Sequence, residues 1–265
     1  MRIIIDDVTE LGRFAVDRIA EQVADRADCT IGLATGSSPV PIYRELADRV
    51  ARGALDLSQV RFFALDEYAG LGGAHPMSYR YFLDEHVTGP CRLDPAQLWT
   101  LNGRAEDLGR ECRQYEKAIE EAGGIDLQIL GVGHNGHIGF NEPTSSLGSR
   151  TRVVALTPQT VDANARFFDD DPEDVPLLAL SQGIGTILDA GALLLIATGE
   201  GKAPAIHAAI EGDLTASVPV SALQLHPQVT FLVDEFAGSM LARSDFYRRE
   251  RRLIADYGHV CPRHS

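Results

Sequence analysis

Basic side chains are in short supply in this 265-residue chain: 24 Lys and Arg face 38 Asp and Glu, a formal net charge of −14. A surface that acidic repels nucleic acid and anionic lipid, which argues against both as partners. Any phosphate-bearing ligand then needs a local basic pocket, so individual Arg and Lys positions become informative. Cysteine is scarce too. Cys29, Cys91, Cys112 and Cys261 form no C-x-x-C pair and read as reduced thiols. Long apolar runs are missing: the opening MRIIIDDVTELGRF has three isoleucines before two aspartates, far short of a secretory or membrane-spanning segment. A cytoplasmic protein is expected. Neither the turn at Leu33–Ile42 nor the one at Ile196–Ile206 is a Walker A loop or a G-x-G-x-x-G turn, which removes support for a nucleotide cofactor. Low-complexity tracts, linkers and solenoid repeats are absent as well, and one domain over 1–265 is expected.

What is present is alternation. Short apolar runs at Ile3–Ile5, Thr30–Ala34, Arg61–Leu65, Leu127–Val132, Leu193–Ala197 and Thr230–Val233 read as buried strands. Helix-length segments lie between them, with a 3.6-residue apolar period over Leu11–Ala24 and Ala105–Ala122. This predicts an α/β fold, a mostly parallel sheet with helices on both faces and ligands at the carboxyl ends of the strands. The acidic stretch Phe168–Asp174 reads as an exposed loop, with a mobile lid as the sharper alternative. The Arg-rich tail from Arg248 to Ser265 reads as a solvated helix end or a subunit contact.

Three stretches carry chemistry. LATGSSPVPI at Leu33–Ile42 and IATGEGKAPAI at Ile196–Ile206 are both strand-to-helix turns whose glycines let the backbone approach an anion. Thr35, Ser37, Ser38 and Lys202 add hydroxyls and a cation, so phosphate is the natural guest, and two such turns together point to a sugar phosphate. FFALDEYAGL at Phe62–Leu71 ends an apolar run with Asp66 and Glu67, carboxylates at the rim of the sheet. Withdrawn from water, such a group becomes a usable base near neutrality; a helix cap is the plainer alternative. GVGHNGHIGFNEP at Gly131–Pro143 offers His134, His137 and Glu142. A metal set is disfavoured because the glycines oppose a regular helix and no second cluster exists. A structural histidine stays open, as does an acid–base relay in which Glu142 fixes the state of His137 and Gly131 and Gly133 let a sugar lie against the backbone. His134 is expected to be a loop residue near the site.

With LATGSSP, LDEYAGL, HPMSYRYF, GVGHNGHIGFNEP, SSLGSRTR, NARFFDDD, LSQGIGTILDA, TGEGKAPAI and SALQLHPQVTFLVDE in order, the chain resembles the glucosamine-6-phosphate deaminase (isomerase) family. The resemblance implies a Rossmann-like three-layer sandwich that turns glucosamine 6-phosphate and water into fructose 6-phosphate and ammonia, with no cofactor and no metal. It implies Asp66 as the base between C2 and C1, with Glu67 beside it on the substrate, and His137 as the ring-opening residue backed by Glu142. It assigns the phosphate to Thr35, Gly36, Ser37, Ser38, Arg166 and Lys202. Two departures stand out. Asn135 occupies a place that is aspartate in one branch, so the catalytic set reads Asp66, Asn135, His137 and Glu142. Members activated by N-acetylglucosamine 6-phosphate use a serine, an arginine and a lysine at a subunit interface; Ser145 and Arg152 fit, but Val154 replaces the lysine, which predicts weak or absent activation. A homo-oligomer is implied, with a hexamer as one form it takes in the family. The competing readings are a galactosamine 6-phosphate enzyme, a 6-phosphogluconolactonase and a non-catalytic sugar-phosphate sensor.

Overall fold

The computed structural model describes residues 1–257; Cys261 and the last part of the Arg-rich tail lie outside the described residues. In chain order the strands are β1 (Arg2–Ile5), β2 (Thr30–Leu33), β3 (Arg61–Ala64), β4 (Asp66–Tyr68), β5 (Leu98–Trp99), β6 (Leu127–Leu130), β7 (Arg152–Ala155), β8 (Leu178–Ser181), β9 (Ala192–Ala197) and β10 (Val229–Val233). The α-helices are α1 (Val8–Asp25), α2 (Val40–Ala51), α3 (Tyr79–Leu83), α4 (Leu108–Glu121), α5 (Pro158–Asn164), α6 (Ile184–Leu188), α7 (Ala203–Ile210) and α8 (Ser244–Tyr257).

Seven strands form one sheet in the order β1-β10-β9-β6-β2-β3-β5, and every pairing in it is parallel. All six apolar runs of the sequence fall in this sheet. Their lack of polar alternation has a simple cause: both faces are covered. Ile31, Ile129 and Ile196 meet Leu11 and Ile19 of α1 and Ile42 and Leu46 of α2 on one side. On the other, Phe63, Leu195 and Phe231 meet Tyr115 of α4, Ile187 of α6 and Ile206 of α7. The fold is therefore the three-layer α/β sandwich expected. Helix α1 begins where its cap dictates, with the Asp7 carboxylate accepting the N–H groups of Thr9 (2.9 Å) and Glu10 (3.1 Å).

The winding of the sheet creates the site. From β2 the chain steps outward to β3 and β5, then returns to β6 on the opposite side of β2. The segments leaving β2 and β6 consequently diverge, and a crevice opens at their carboxyl ends.

A second sheet, antiparallel and in the order β4-β8-β7, hangs from this rim. It corrects one expectation: Asp66 and Glu67 do not end the long apolar strand. That strand stops at Ala64, and Asp66 opens β4, paired across to Ser181. Tyr68, Phe140, Leu156, Val161, Phe168 and Val175 form a small core of their own around this sheet. Phe168 is thus a buried anchor rather than part of an exposed loop. The acidic residues after it behave as read from sequence: Asp169 and Asp170 are exposed and the chain passes through a short turn at Pro172–Asp174.

Candidate active site

A cavity of about 460 Å³ occupies the crevice. Its floor comes from the turn after β2, with Thr35, Gly36, Ser37 and Ser38 all on the wall. Gly36 has φ +99°, a conformation open to glycine and strained for other residues. Lys202, in the turn between β9 and α7, lines the same space, as does Arg166 just past α5. Asp234 at the end of β10 braces the second turn by accepting the Gly199 N–H at 3.0 Å and the Ala237 N–H at 2.7 Å. Burial, and then repulsion from Arg166, lowers the pKa of Lys202. Among the described residues neither cation forms an ion pair with a carboxylate. Arg166 lies instead over the Phe167 ring, 4.6 Å from its centroid. Two unneutralised cations beside a run of hydroxyls and backbone N–H groups make an anion site.

Asp66 lies elsewhere on the wall of this cavity, buried to 5 % exposure. Among the described residues its Oδ1 has no hydrogen-bond partner. Burial, with Glu67 adding like charge, holds its pKa well above the ordinary carboxylate range. A base that is poorly solvated and unengaged is reactive.

Glu67 does not line the cavity, contrary to the expectation of a substrate contact. Successive residues of a strand point to opposite sides, so only Asp66 and Tyr68 face inward. The Glu67 carboxylate instead accepts the N–H groups of Tyr68 (2.9 Å), Tyr79 and Arg80 (3.0 Å each) and the Ser78 hydroxyl (2.8 Å), bracing the start of α3. The helix-cap alternative thus describes Glu67, while Asp66 is left for the cavity.

His137 reaches the cavity from the turn after β6, with Gly131 and Gly133 on the same wall. The turn is closed by Gly133 N–H donating to the His137 carbonyl at 2.8 Å. A side chain at 133 would collide with the imidazole, so this glycine is a spatial requirement. Glu142 stands behind His137, its Oε2 3.7 Å from Nδ1, too far for a hydrogen bond. Asn135 fills the gap: its Nδ2 donates to Glu142 Oε2 at 2.8 Å and its Oδ1 accepts the His137 N–H at 3.2 Å. Burial alone would raise the Glu142 pKa, but the His137 ring, the Thr160 hydroxyl and the Asn135 amide outweigh it and hold the group at about 2. Neither Asn135 nor Glu142 lines the cavity; both contact His137, which does.

His134 also reaches the wall, its ring centroid 6.4 Å from that of His137. Burial, followed by the nearby His137 and Lys202, lowers its pKa. Among the described residues no group of three or more His, Cys, Asp or Glu side chains is placed to hold a metal. Ser145 and Arg152 come together away from the cavity, with Nη2 donating to the serine hydroxyl at 3.0 Å. Val154 packs against the small aromatic core. Reading by motif missed the aromatic wall of Tyr68, Tyr79 and Phe140, whose centroids lie 5.0–5.6 Å apart. Strand alternation from Asp66 gives Tyr68; Tyr79 and Phe140 have no comparable signal.

Comparison with known proteins agrees with this geometry. The family profile described as glucosamine-6-phosphate isomerases/6-phosphogluconolactonase matches residues 6–232. A glucosamine-6-phosphate deaminase of Cellvibrio japonicus is 49% identical over 257 residues, 96% of this chain and 97% of its own length. Glucosamine-6-phosphate deaminase 2 of Giardia intestinalis is 51% identical over 227 residues, 86% of each chain. The solved structure of a monomeric glucosamine-6-phosphate deaminase superposes with a TM-score of 0.88 at 39% identity, covering 91% of this chain and all of that one. A 6-phosphogluconolactonase from Trypanosoma cruzi shares the fold at TM-score 0.73 and 18% identity. With a family profile spanning most of its length and relatives near half identity from end to end, the chain belongs to the glucosamine-6-phosphate deaminase family.

Proposed function

We propose that the protein converts glucosamine 6-phosphate and water to fructose 6-phosphate and ammonia. One observation carries this reading: Asp66, a buried carboxylate whose Oδ1 has no hydrogen-bond partner among the described residues, shares a cavity with Arg166 and Lys202, which form no ion pair there. The cations and the Thr35–Ser38 turn hold the phosphate and fix where C1 and C2 fall. His137 moves the proton that opens the pyranose ring, and Glu142 with Asn135 sets its orientation. Asp66 removes the proton from C2, leaving an enolamine, and returns it to C1. The resulting C2 imine adds water and expels ammonia. Remote binding energy at the phosphate is thereby used to align the reacting carbons.

Lactone hydrolysis shares the fold but requires no proton transfer from carbon, and so leaves Asp66 without a task. The test is a coupled assay for ammonia and fructose 6-phosphate, with glucosamine 6-phosphate and its galacto epimer, on wild type and Asp66→Asn. Ammonia release from the gluco substrate by wild type alone supports the reading. Equal rates in both proteins refute the role of Asp66, and a preference for the epimer reassigns the substrate. A homo-oligomer belongs to the same reading and is measured by light scattering.

A further inference from the structure

We propose that Asn141, Ser181 and Gln182 form a buried clamp that holds Asp66 in register with the His137 turn. The clamp rests on the reading of the cavity as an acid–base centre, and its members are positioning residues, since none of them lines the cavity. All three are fully buried. Ser181 is the middle of the small sheet, paired with Asp66 on one side and with Arg152 on the other.

The hydrogen bonds run to two segments. Toward the base, the Gln182 backbone N–H donates to the Leu65 carbonyl at 2.9 Å and its side-chain Nε2 to the Ala64 carbonyl at 3.1 Å, the two residues immediately before Asp66. Toward the acid, the Phe140 N–H donates to Ser181 Oγ at 3.1 Å, and Asn141 Nδ2 donates to the Ile138 carbonyl at 2.8 Å. The two halves are joined because the Gln182 carbonyl accepts from Asn141 Nδ2 at 2.7 Å and from Ser181 Oγ at 3.1 Å. Arg152 Nη1 donates to Asn141 Oδ1 at 2.8 Å, which fixes the amide with its two N–H groups toward those carbonyls.

None of these bonds reaches the Thr35–Ser38 turn or Lys202. The clamp therefore governs the distance between base and acid independently of the phosphate cradle. Loosening it displaces the reacting groups and lets water reach Asp66, while the anion site keeps its shape. The titratable groups around Asp66 are Glu67 and Tyr68 from its own strand, Tyr43 of α2, Tyr79 of α3 and Tyr115 of α4. All of them stay in place in the variants below.

The experiment compares wild type with Asn141→Ala and Ser181→Ala, reading kcat, KM for glucosamine 6-phosphate, inhibition by inorganic phosphate and the pH profile of kcat/KM. A displacement near 1 Å costs on the order of 100-fold in rate, so Asn141→Ala is expected to lower kcat by about 10- to 100-fold and Ser181→Ala by about 3- to 10-fold. The phosphate inhibition constant stays within about twofold of wild type, because binding not tied to the transition state is untouched. The acid limb of kcat/KM moves to lower pH as Asp66 gains solvent. Should Asn141→Ala fail to fold, Ser181→Ala decides alone. Unchanged kcat and acid limb, or phosphate inhibition weakened in parallel with kcat, would overturn the clamp. A wild-type chain that releases no ammonia would overturn the functional reading itself and the clamp with it.

Discussion

Asp66 and Glu142 are both carboxylates, both buried, and both belong to the same centre, yet their charges are governed in opposite ways. Glu142 is 6 % exposed and sits among donors, with Asn135 at 2.8 Å and His137 and Thr160 close by, and its pKa falls to about 2. Asp66 is 5 % exposed, has no donor on Oδ1, and its pKa rises. Similar exposure with opposite outcome has two causes: Asp66 lies deeper and beside the like charge of Glu67, which raises its pKa, whereas around Glu142 the neighbouring donors outweigh a lesser burial. One acid is held as an anion beside His137, and the other is held with its pKa raised on the cavity wall.

The sharpest way to break this contrast is Asp66→Asn. Loss of a general base is expected to lower kcat by about 1000-fold, measured by ammonia release. The same change should raise thermal stability at pH 8. A raised folded-state pKa means that stability falls as pH climbs from the ordinary value of 3.8 toward the folded one, and the amide removes that cost. Next comes Lys202→Ala, which leaves both carboxylates alone and removes a charged phosphate contact; KM should rise by about 10- to 100-fold, as loss of a hydrogen bond to a charged group implies. Glu142→Gln should cost about 10-fold in kcat, at the low end for a group acting through the acid–base residue. Its stability effect has the opposite sign to that at 66. The ionised glutamate stabilises the fold above pH 4.5, and this is lost as pH falls through about 2, so the variant should melt below wild type at pH 7 and converge with it in acid. Parallel rather than opposed melting shifts for the two variants would dissolve the contrast. The smallest expected effect is that of N-acetylglucosamine 6-phosphate. With Val154 packed into apolar surroundings and no lysine beside Arg152, the initial rate should change by less than about twofold, below the usual scale of allosteric coupling.

Much of this was legible before any coordinates. The central sheet announced itself because strands buried on both faces show no polar alternation, and Ile31, Ile129 and Leu195 have nowhere else to go. The two turns on the cavity wall were legible for a similar local reason, as the segments carrying Gly36 and Lys202 follow such strands. The small sheet was not. Its strands are three or four residues long, β7 is only partly buried, and its register depends on Ser181, a residue with no pattern to announce it. The placement of Glu67 failed for the same reason, since the break after Ala64 reverses which residue faces inward. Asn135 could be flagged as unusual from its motif, but that its amide bridges His137 and Glu142 is a matter of three-dimensional distance.

One pairing of the main sheet has a consequence for how the chain comes to be folded at all. Among the described residues strand β1 has a single neighbour, β10, and Arg2 stands opposite Thr230. The most N-terminal strand of the sheet thus waits for the most C-terminal one before its backbone is paired. Contacts so distant in sequence pay their loop-closure entropy before they are rewarded, which slows the final step. Until β10 docks, β9 presents an unpaired apolar edge, so nascent chains stalled short of Val229 should be the species that chaperones capture and that aggregate when chaperones are scarce.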